Sequence, residues 1–254
     1  MEFDFKGKVA VITGAASGMG LLFSKKFVEY GGYIVMTDIN PDTLKAAADE
    51  VNAIREGSAV SLVCDVRRYE DIKKAADLAF ESFGRVDISI PFAGGAEYRM
   101  LQPEIKDFPF TPIEVFDWSL DVNLKSQLYL DHAVLPYMRE AKSGVVIHIG
   151  SVTGEEGSAG NIGYSTAKSG AMNGLTKSVA LHGAPYGIRC VCVSPGPVLT
   201  RPGMINMKTP LGRAAEPIEI INLIMYLASD YGSFITGQNI LIDGGRSIMY
   251  SRQG

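Results

Sequence analysis

The chain has 254 residues, 46% of them hydrophobic and 20% charged, with a net charge of −4. That is the make-up of an ordinary globular protein with a sizeable core, and it excludes a basic footprint for nucleic acid and a polybasic patch for a membrane surface. No apolar run approaches the ~20 residues of a membrane span, and the acidic opening Met1-Glu2-Phe3-Asp4-Phe5 is too short in apolar length for a signal peptide.

Residues 8–13 form a short apolar run that ends in a glycine-rich turn, and they read as a buried strand. Met19, Leu22, Phe23, Phe27 and Tyr30 recur at helical spacing before Gly31-Gly32 stops the helix. The second strand is 33–37, and Pro41 opens a helix to about residue 54. A third strand over 59–64, a helix over 69–83 ending at Gly84, and a fourth strand over 86–90 follow. Residues 94–112 carry three prolines and no period, so they read as a long loop of the kind that is usually functional or disordered. Helical patterns return over 113–140. A strand over 144–149, a small polar loop over 152–163, a helix over 162–182 and a strand over 188–193 come next. After an irregular stretch over 196–215 come a helix over 218–228 and a last strand over 239–242. Strands alternating with helices predict an α/β fold, a Rossmann-like doubly wound parallel sheet of about seven strands with helices on both faces. With neither linker nor repeat, residues 1–254 read as a single domain. Cys64, Cys190 and Cys192 are an odd count with no metal spacing, so no metal is expected. Cys190 and Cys192 alternate in a strand-like run and read as small core residues in a reduced, cytoplasmic setting.

The turn after the first strand, Thr13-Gly14-Ala15-Ala16-Ser17-Gly18-Met19-Gly20, also opens the first helix. Its glycines let the backbone approach a pyrophosphate, and the helix start offers that anion unpaired N–H groups. The expected cofactor contacts here are Gly14, Ser17, Gly18, Met19 and Gly20. Asp38 closes the second strand eighteen residues past Gly20, where an acid accepts from the ribose hydroxyls and repels a 2′-phosphate. With Ile39 after it, and neither Arg nor Lys in 13–20 or directly after Asp38, the predicted cofactor is NAD. Asp65-Val66 ends the third strand, where an acid meets the adenine amino group.

Tyr164 and Lys168 are four residues apart, on one face of a helix, and Ser151 lies thirteen residues before the tyrosine. A phenol has a pKa of ~10 and is a poor base, but a fixed ammonium beside it favours the phenolate. With a hydroxyl to hold the substrate oxygen, such a set takes a proton from an alcohol or gives one to a carbonyl.

These ordered motifs resemble the short-chain dehydrogenase/reductase family over nearly all of the chain. The 13–20 turn matches its cofactor turn and Asp65 its adenine-contacting acid. Asn123, in Asp-Val-Asn-Leu, matches its helix asparagine. Ser151, Tyr164 and Lys168 match its serine, base and lysine, and Pro195-Gly196 with Val198 and Thr200 its nicotinamide segment. The resemblance implies roles: Tyr164 is the acid/base, Lys168 lowers its pKa and holds the nicotinamide ribose, Ser151 positions the substrate oxygen, and Asn123 keeps a water in a proton path toward Lys168. It implies a homotetramer as well, and the small residues Ala167, Gly170, Ala171 and Gly174 on the 162–182 helix would let a second helix approach. One departure stands out. Where the family has Asn-Asn-Ala-Gly, this chain has Pro91-Phe92-Ala93-Gly94. Ala93 and Gly94 keep the close approach to the cofactor, the two side-chain amides are gone, and Phe92 would pack under the cofactor.

The substrate loops, 94–112, 152–163 and 196–215, hold Glu97, Tyr98, Arg99, Glu104, Asp107, Glu155, Glu156 and Asn161. Such walls suit a small polar secondary alcohol, a sugar or polyol, unless the charges form a solvated rim. Arg201 and Arg213 could clamp an acidic group, although Arg213 is better placed to order the chain before its helix. His148, three before Ser151 among apolar strand residues, reads as a satisfied core histidine. The alternatives are a 3-oxoacyl thioester reductase, against which Asp38 weighs, and a non-catalytic NAD-sensing protein.

Overall fold

Seven strands form one sheet in the order β3-β2-β1-β4-β5-β6-β7. They are β1 (Val9–Thr13), β2 (Tyr33–Asp38), β3 (Ala59–Val63), β4 (Ile88–Pro91), β5 (Gly144–Ile149), β6 (Ile188–Pro195) and β7 (Asn239–Ile242). Every pairing is parallel, as the alternation of elements predicts. The computed structural model describes residues 3–99, 107–200, 203, 206 and 208–249. Within the sheet, alternate residues feed two cores. Ala10, Ile12, Ile34, Met36, Ile147 and Val191 pack against α1 (Gly18–Glu29), α2 (Pro41–Ile54) and α9 (Pro217–Ala228). Val9, Val11, Val35, Val146 and Cys190 pack against α3 (Tyr69–Phe83) and α5 (Ser126–Ala141). Burying each large apolar side chain contributes ~1.5–3 kcal/mol, which outweighs the ~1 kcal/mol range of strand propensity, so the apolar run decides these strands. The chain moves outward from β1 to β3 and then returns to β4. The carboxyl ends of β1 and β4 therefore flank the crevice where a sheet of this winding holds a ligand.

Three expected stretches differ. The predicted 113–140 helix is α4 (Ile113–Leu120) and α5 joined by a π-turn, Asp121–Lys125. The 162–182 helix is likewise α7 (Ile162–Gly170) and α8 (Thr176–Gly183) joined by a second π-turn, Ala171–Leu175. Side chains take up the carbonyls these wide turns free: Ser126 Oγ donates to Val122 O at 2.7 Å, Gln127 Nε2 to Asn123 O at 2.6 Å, and Thr176 Oγ1 to Ala171 O at 2.6 Å. The loop expected at 152–163 begins with a short helix, α6 (Val152–Glu156), capped by Ser151. The small-residue stripe also has a different use. Ala167 and Ala171 are fully buried inside this chain, and a Cβ at Gly170 would meet Leu124 at 3.1 Å. Of the four, only Gly174 faces open space, so the stripe serves packing within the chain.

The three cysteines are free and buried, Cys190 and Cys192 as their strand pattern predicts. Burial pushes the Cys64 thiol up to about 12 and Cys192 to about 11, and raises Cys190 as well. His148 is fully buried, with Nε2 at 2.9 Å from Asp131 Oδ2 and Nδ1 at 2.8 Å from Thr176 Oγ1, a satisfied core residue. Among the described residues no helix is long and apolar enough to cross a membrane.

Candidate active site

Two clefts adjoin at the carboxyl edge of the sheet and share Met19, Phe92, Gly94 and Thr200. The first, about 550 Å³, is lined by Gly14, Ser17, Gly18, Met19, Gly20, Asp38, Ile39, Asp65, Val66, Ala93 and Gly94, the cofactor contacts expected from the first half of the chain. Gly14 has φ +66°, and a Cβ there would sit 2.6 Å from Ala93 N. Only glycine lets the turn lie this close to the end of β4. α1 begins in this cleft with N-cap Ser17 making no side-chain capping bond, whereas α2 is capped by Asn40 through the N–H groups of Asp42 and Thr43. The first-turn N–H groups of α1 are thus left to an anion, and its first turn carries no acid to repel one. A dinucleotide's pyrophosphate fits this arrangement.

Asp38 holds the turn from the side: its carboxylate accepts from Ala16 N and Asn40 N, each at 3.2 Å. Arg67, three residues past the end of the third predicted strand, also lines the cleft. Its guanidinium is committed to Asp65, with Nη2 to Oδ2 at 2.6 Å and Nε to Oδ1 at 2.9 Å. Those hydrogen bonds hold the Asp65 carboxyl below its ordinary pKa against the opposing effect of burial. The cleft's one cation among its described lining is therefore paired.

The Pro91-Phe92 departure is accommodated by Thr13. Pro91 ends β4 opposite Thr13, whose carbonyl accepts from Phe92 N at 3.0 Å and whose hydroxyl accepts from Ala93 N at 3.3 Å. Phe92 packs on Phe23 of α1, with ring centroids 5.8 Å apart, and forms wall common to both clefts.

The second cleft, about 410 Å³, brings together Ser151, Tyr164, Lys168, Pro195, Gly196, Val198 and Thr200. Its lining also mixes the polar Ser158, Asn161, Glu156 and Arg246 with the apolar Met19, Phe92, Val152 and Pro197. Lys168 is 3% exposed, and its Nζ donates to Ile149 O at 2.8 Å and lies 5.7 Å from the centre of the Tyr164 ring. Burial pushes its ammonium down to about 8. Ser151 Oγ accepts from Thr153 N at 3.2 Å.

Asn123 lies behind this wall, fully buried. Its Nδ2 donates to Gly95 O and Ser119 O, and its Oδ1 accepts from Gly95 N, each at 2.9 Å. Both amide hydrogens are committed, so the side chain here clamps the chain after β4. A Cβ at Gly94 would meet this Oδ1 at 2.8 Å, which fixes that residue's size.

Several residues lie elsewhere than their sequence context suggests. Glu97, expected in a polar substrate wall, is 2% exposed and faces inward. Glu155 does not line the cleft, while Glu156 does, paired with Arg246 at 3.1 Å. Arg213 orders the start of α9 through Glu219, at 2.6 and 2.7 Å, as its position suggested. The side chain of Arg99, and Glu104 and Arg201, lie outside the described residues. Ser119, Gln127 and Arg246 escape a reading of the sequence. A buried Gln127, which accepts from Ile149 N and donates to Ile149 O at 3.2 Å each, left one signal, a polar residue on an apolar helix face.

A family model described as Enoyl-(Acyl carrier protein) reductase, adh_short_C2, matches residues 14–247. A 3-oxoacyl-(acyl-carrier-protein) reductase, FabG, of Thermotoga maritima is 32% identical over 94% of this chain and 98% of its own. A D-threitol dehydrogenase of Mycolicibacterium smegmatis is 31% identical over 98% of this chain and 96% of its own. Among solved structures, a 7α-hydroxysteroid dehydrogenase complexed with NADH and 7-oxo glycochenodeoxycholic acid superposes with a TM-score of 0.86 at 28% identity, covering 96% of each chain.

Proposed function

The chain belongs to the short-chain dehydrogenase/reductase family, and from that premise we propose that it is an NAD-dependent oxidoreductase interconverting a small polar secondary alcohol, a sugar or polyol, and its ketone. One juxtaposition supports this reading: Tyr164, Lys168 and Ser151 line one cleft, which adjoins the glycine-turn cleft, together with Ser158, Asn161 and the Glu156–Arg246 pair. Those polar side chains offer hydrogen-bond partners to the hydroxyls of such a substrate, which favours it over a purely apolar one.

In oxidation the Tyr164 phenolate takes the proton of the substrate hydroxyl, and in reduction the phenol returns it to the carbonyl oxygen. The Lys168 charge beside the ring favours the phenolate. Ser151 Oγ already accepts from Thr153 N–H, so its own hydrogen remains to donate to the substrate oxygen. A bound nicotinamide supplies the hydride acceptor for oxidation and the donor for reduction. Ser17 to Gly20 would hold its pyrophosphate, and Asp38 its adenosine ribose. Asp38 also underlies the preference for NAD. A 2′-phosphate would meet its carboxylate, with Arg67 already paired to Asp65.

Steady-state kinetics with NAD on D-threitol, other polyols and sugars, and cyclohexanol, set against acetoacetyl thioesters with NADPH, tests the proposal. The expected result is turnover on a polyol or sugar, with kcat/KM favouring NAD over NADP by about 10²-fold, since charge-assisted hydrogen bonds contribute roughly 1.5–3 kcal/mol each. Main activity on the thioester with NADPH would sink it.

A further inference from the structure

α7 carries both Tyr164 and Lys168, yet its own N-cap residue, Asn161, makes no side-chain capping bond. The first-turn donors are met instead by Glu97, which lies 66 residues earlier in the chain than Gly163. Glu97 Oε1 accepts from Gly163 N at 2.7 Å, and Oε2 accepts from Tyr164 N at 2.8 Å. Ser119 Oγ of α4 donates to the same Oε2 at 3.2 Å. The Ser119 carbonyl in turn accepts from Asn123 Nδ2, and that amide clamps Gly95 from both sides. One buried chain of hydrogen bonds therefore runs from residues 95–97, through α4, to the backbone of Tyr164. Gly94, Gly95, Ala96 and Tyr98 form the wall of the substrate cleft, and Tyr164 is its reacting group.

A carboxylate is costly to bury unless hydrogen bonds satisfy it. Capping alone does not require such a residue, since a local Ser, Thr, Asp or Asn does that work from the N-cap position. What Glu97 adds is a fixed relation between two segments that both line the cleft, residues 94–98 and the start of α7. The geometry points to Glu97 as a positioning residue for Tyr164: through the Tyr164 N–H it sets where the phenol stands relative to the 94–98 wall on which the substrate rests. This rests on the reading of Tyr164 as the acid/base. A misplacement on the order of 1 Å costs about 10²-fold in rate when reacting atoms must be held in line, so a partial loosening at Glu97 should be felt in kcat well before it is felt in binding.

The test is a double-mutant cycle of Glu97→Gln and Tyr164→Phe, read with NAD and the panel alcohol that turns over fastest. The amide keeps the size of Glu97 but turns one acceptor into a donor facing a backbone N–H. We expect Glu97→Gln alone to lower kcat about 10-fold, with KM for the alcohol and Kd for NADH (by fluorescence titration) within about twofold of wild type. In the Tyr164→Phe background it should lower kcat no further, because a residue that acts through Tyr164 has nothing left to position. A kcat within about twofold of wild type for Glu97→Gln, an equal loss in both backgrounds, or a loss shared by kcat, KM and NADH affinity together would overturn the assignment. Should Glu97→Gln not fold, Ser119→Ala removes a single hydrogen bond to the same carboxylate. It should show the same split at about threefold, and an unchanged kcat there would count equally against the assignment. Near-full activity of Tyr164→Phe, or a wild type that oxidises no alcohol of the panel, would instead strike the reading on which this one rests.

Discussion

Two of the described helices have their starts held by a glutamate, and they differ in where it comes from. α9 is served by Glu219, three residues past its N-cap: the carboxylate accepts from Glu216 N at 2.8 Å, Arg213 grips it from just upstream, and Pro217 fills the first helical position. All of it is local and solvent-facing. α7 is served by Glu97, buried and recruited from a distant loop. A local cap states only that a helix begins. A remote one also states where that helix stands against another part of the molecule, and the helix treated this way is the one that bears Tyr164, the proposed acid/base.

If that contrast holds, substitutions on α7 should change rate, and substitutions at the α9 cap should change only stability. The largest expected effect is at Tyr164→Phe, which keeps the ring and removes the proton: NADH binding should persist while kcat falls about 10²-fold or more, as fluorescence titration and steady-state turnover would show. A phenylalanine enzyme with near-full turnover would break the contrast outright.

Lys168→Met sharpens it from the side of stability. Burial holds the folded pKa at about 8, below its ordinary 10.5, so the folded state carries the cost of a buried charge. That cost is fully present below pH 8, where both states are protonated. It declines as pH rises from 8 to 10.5, where the unfolded chain binds the extra proton, and it is gone above that. The variant should therefore lose activity yet resist urea better by about 3 kcal/mol at pH 7, with the gain fading by pH 10.5. Ile149 O keeps its bond from Gln127 Nε2 at 3.2 Å, so nothing is orphaned in exchange. A variant less stable than wild type at pH 7 would mean that the lysine packs the site more than it strains it.

The smallest effect belongs to Glu219→Ala. Hydrogen bonds from Arg213 and from the Glu216 backbone hold the carboxyl at about 2. What they contribute is present above the ordinary carboxylate range and is lost as pH falls through 2. Thermal melts should show a small deficit at neutral pH that closes toward pH 2, with kcat unchanged at every pH where the enzyme turns over. A fall in kcat would show that α9 also reaches the site.

The same distinction explains what could be read in advance. The strands were legible because each is a short apolar run between turns, and the glycine turn because its glycines, Ser17 and Asp38 lie close in sequence and line one cleft. Ser151, Tyr164 and Lys168 could be placed because their spacing is itself the chemistry. The π-turn that seats Asn123 leaves no trace in periodicity, since one extra residue in a turn shifts the apolar pattern by less than the pattern's own scatter. Glu97 reads from sequence as part of a polar substrate wall because a loop carboxylate usually faces outward; its partners are two backbone N–H groups and the Ser119 hydroxyl, a combination with no sequence signature. Ala167 and Ala171 were read as a docking stripe for the opposite reason: small size is visible in sequence, but the direction it faces is not.

The buried thiols allow a different use of the molecule. Thiolates, not thiols, are alkylated, and all three cysteines are both covered and held protonated well above neutral pH. Cys64 sits just past β3, at one edge of the sheet, while Cys190 and Cys192 lie on β6 between two neighbours. The folded chain is thus silent to a thiol reagent, and each modification marks a moment when that part of the sheet has opened. Read by mass, the order in which the three sites are labelled becomes a built-in clock of how the molecule comes apart, edge against interior.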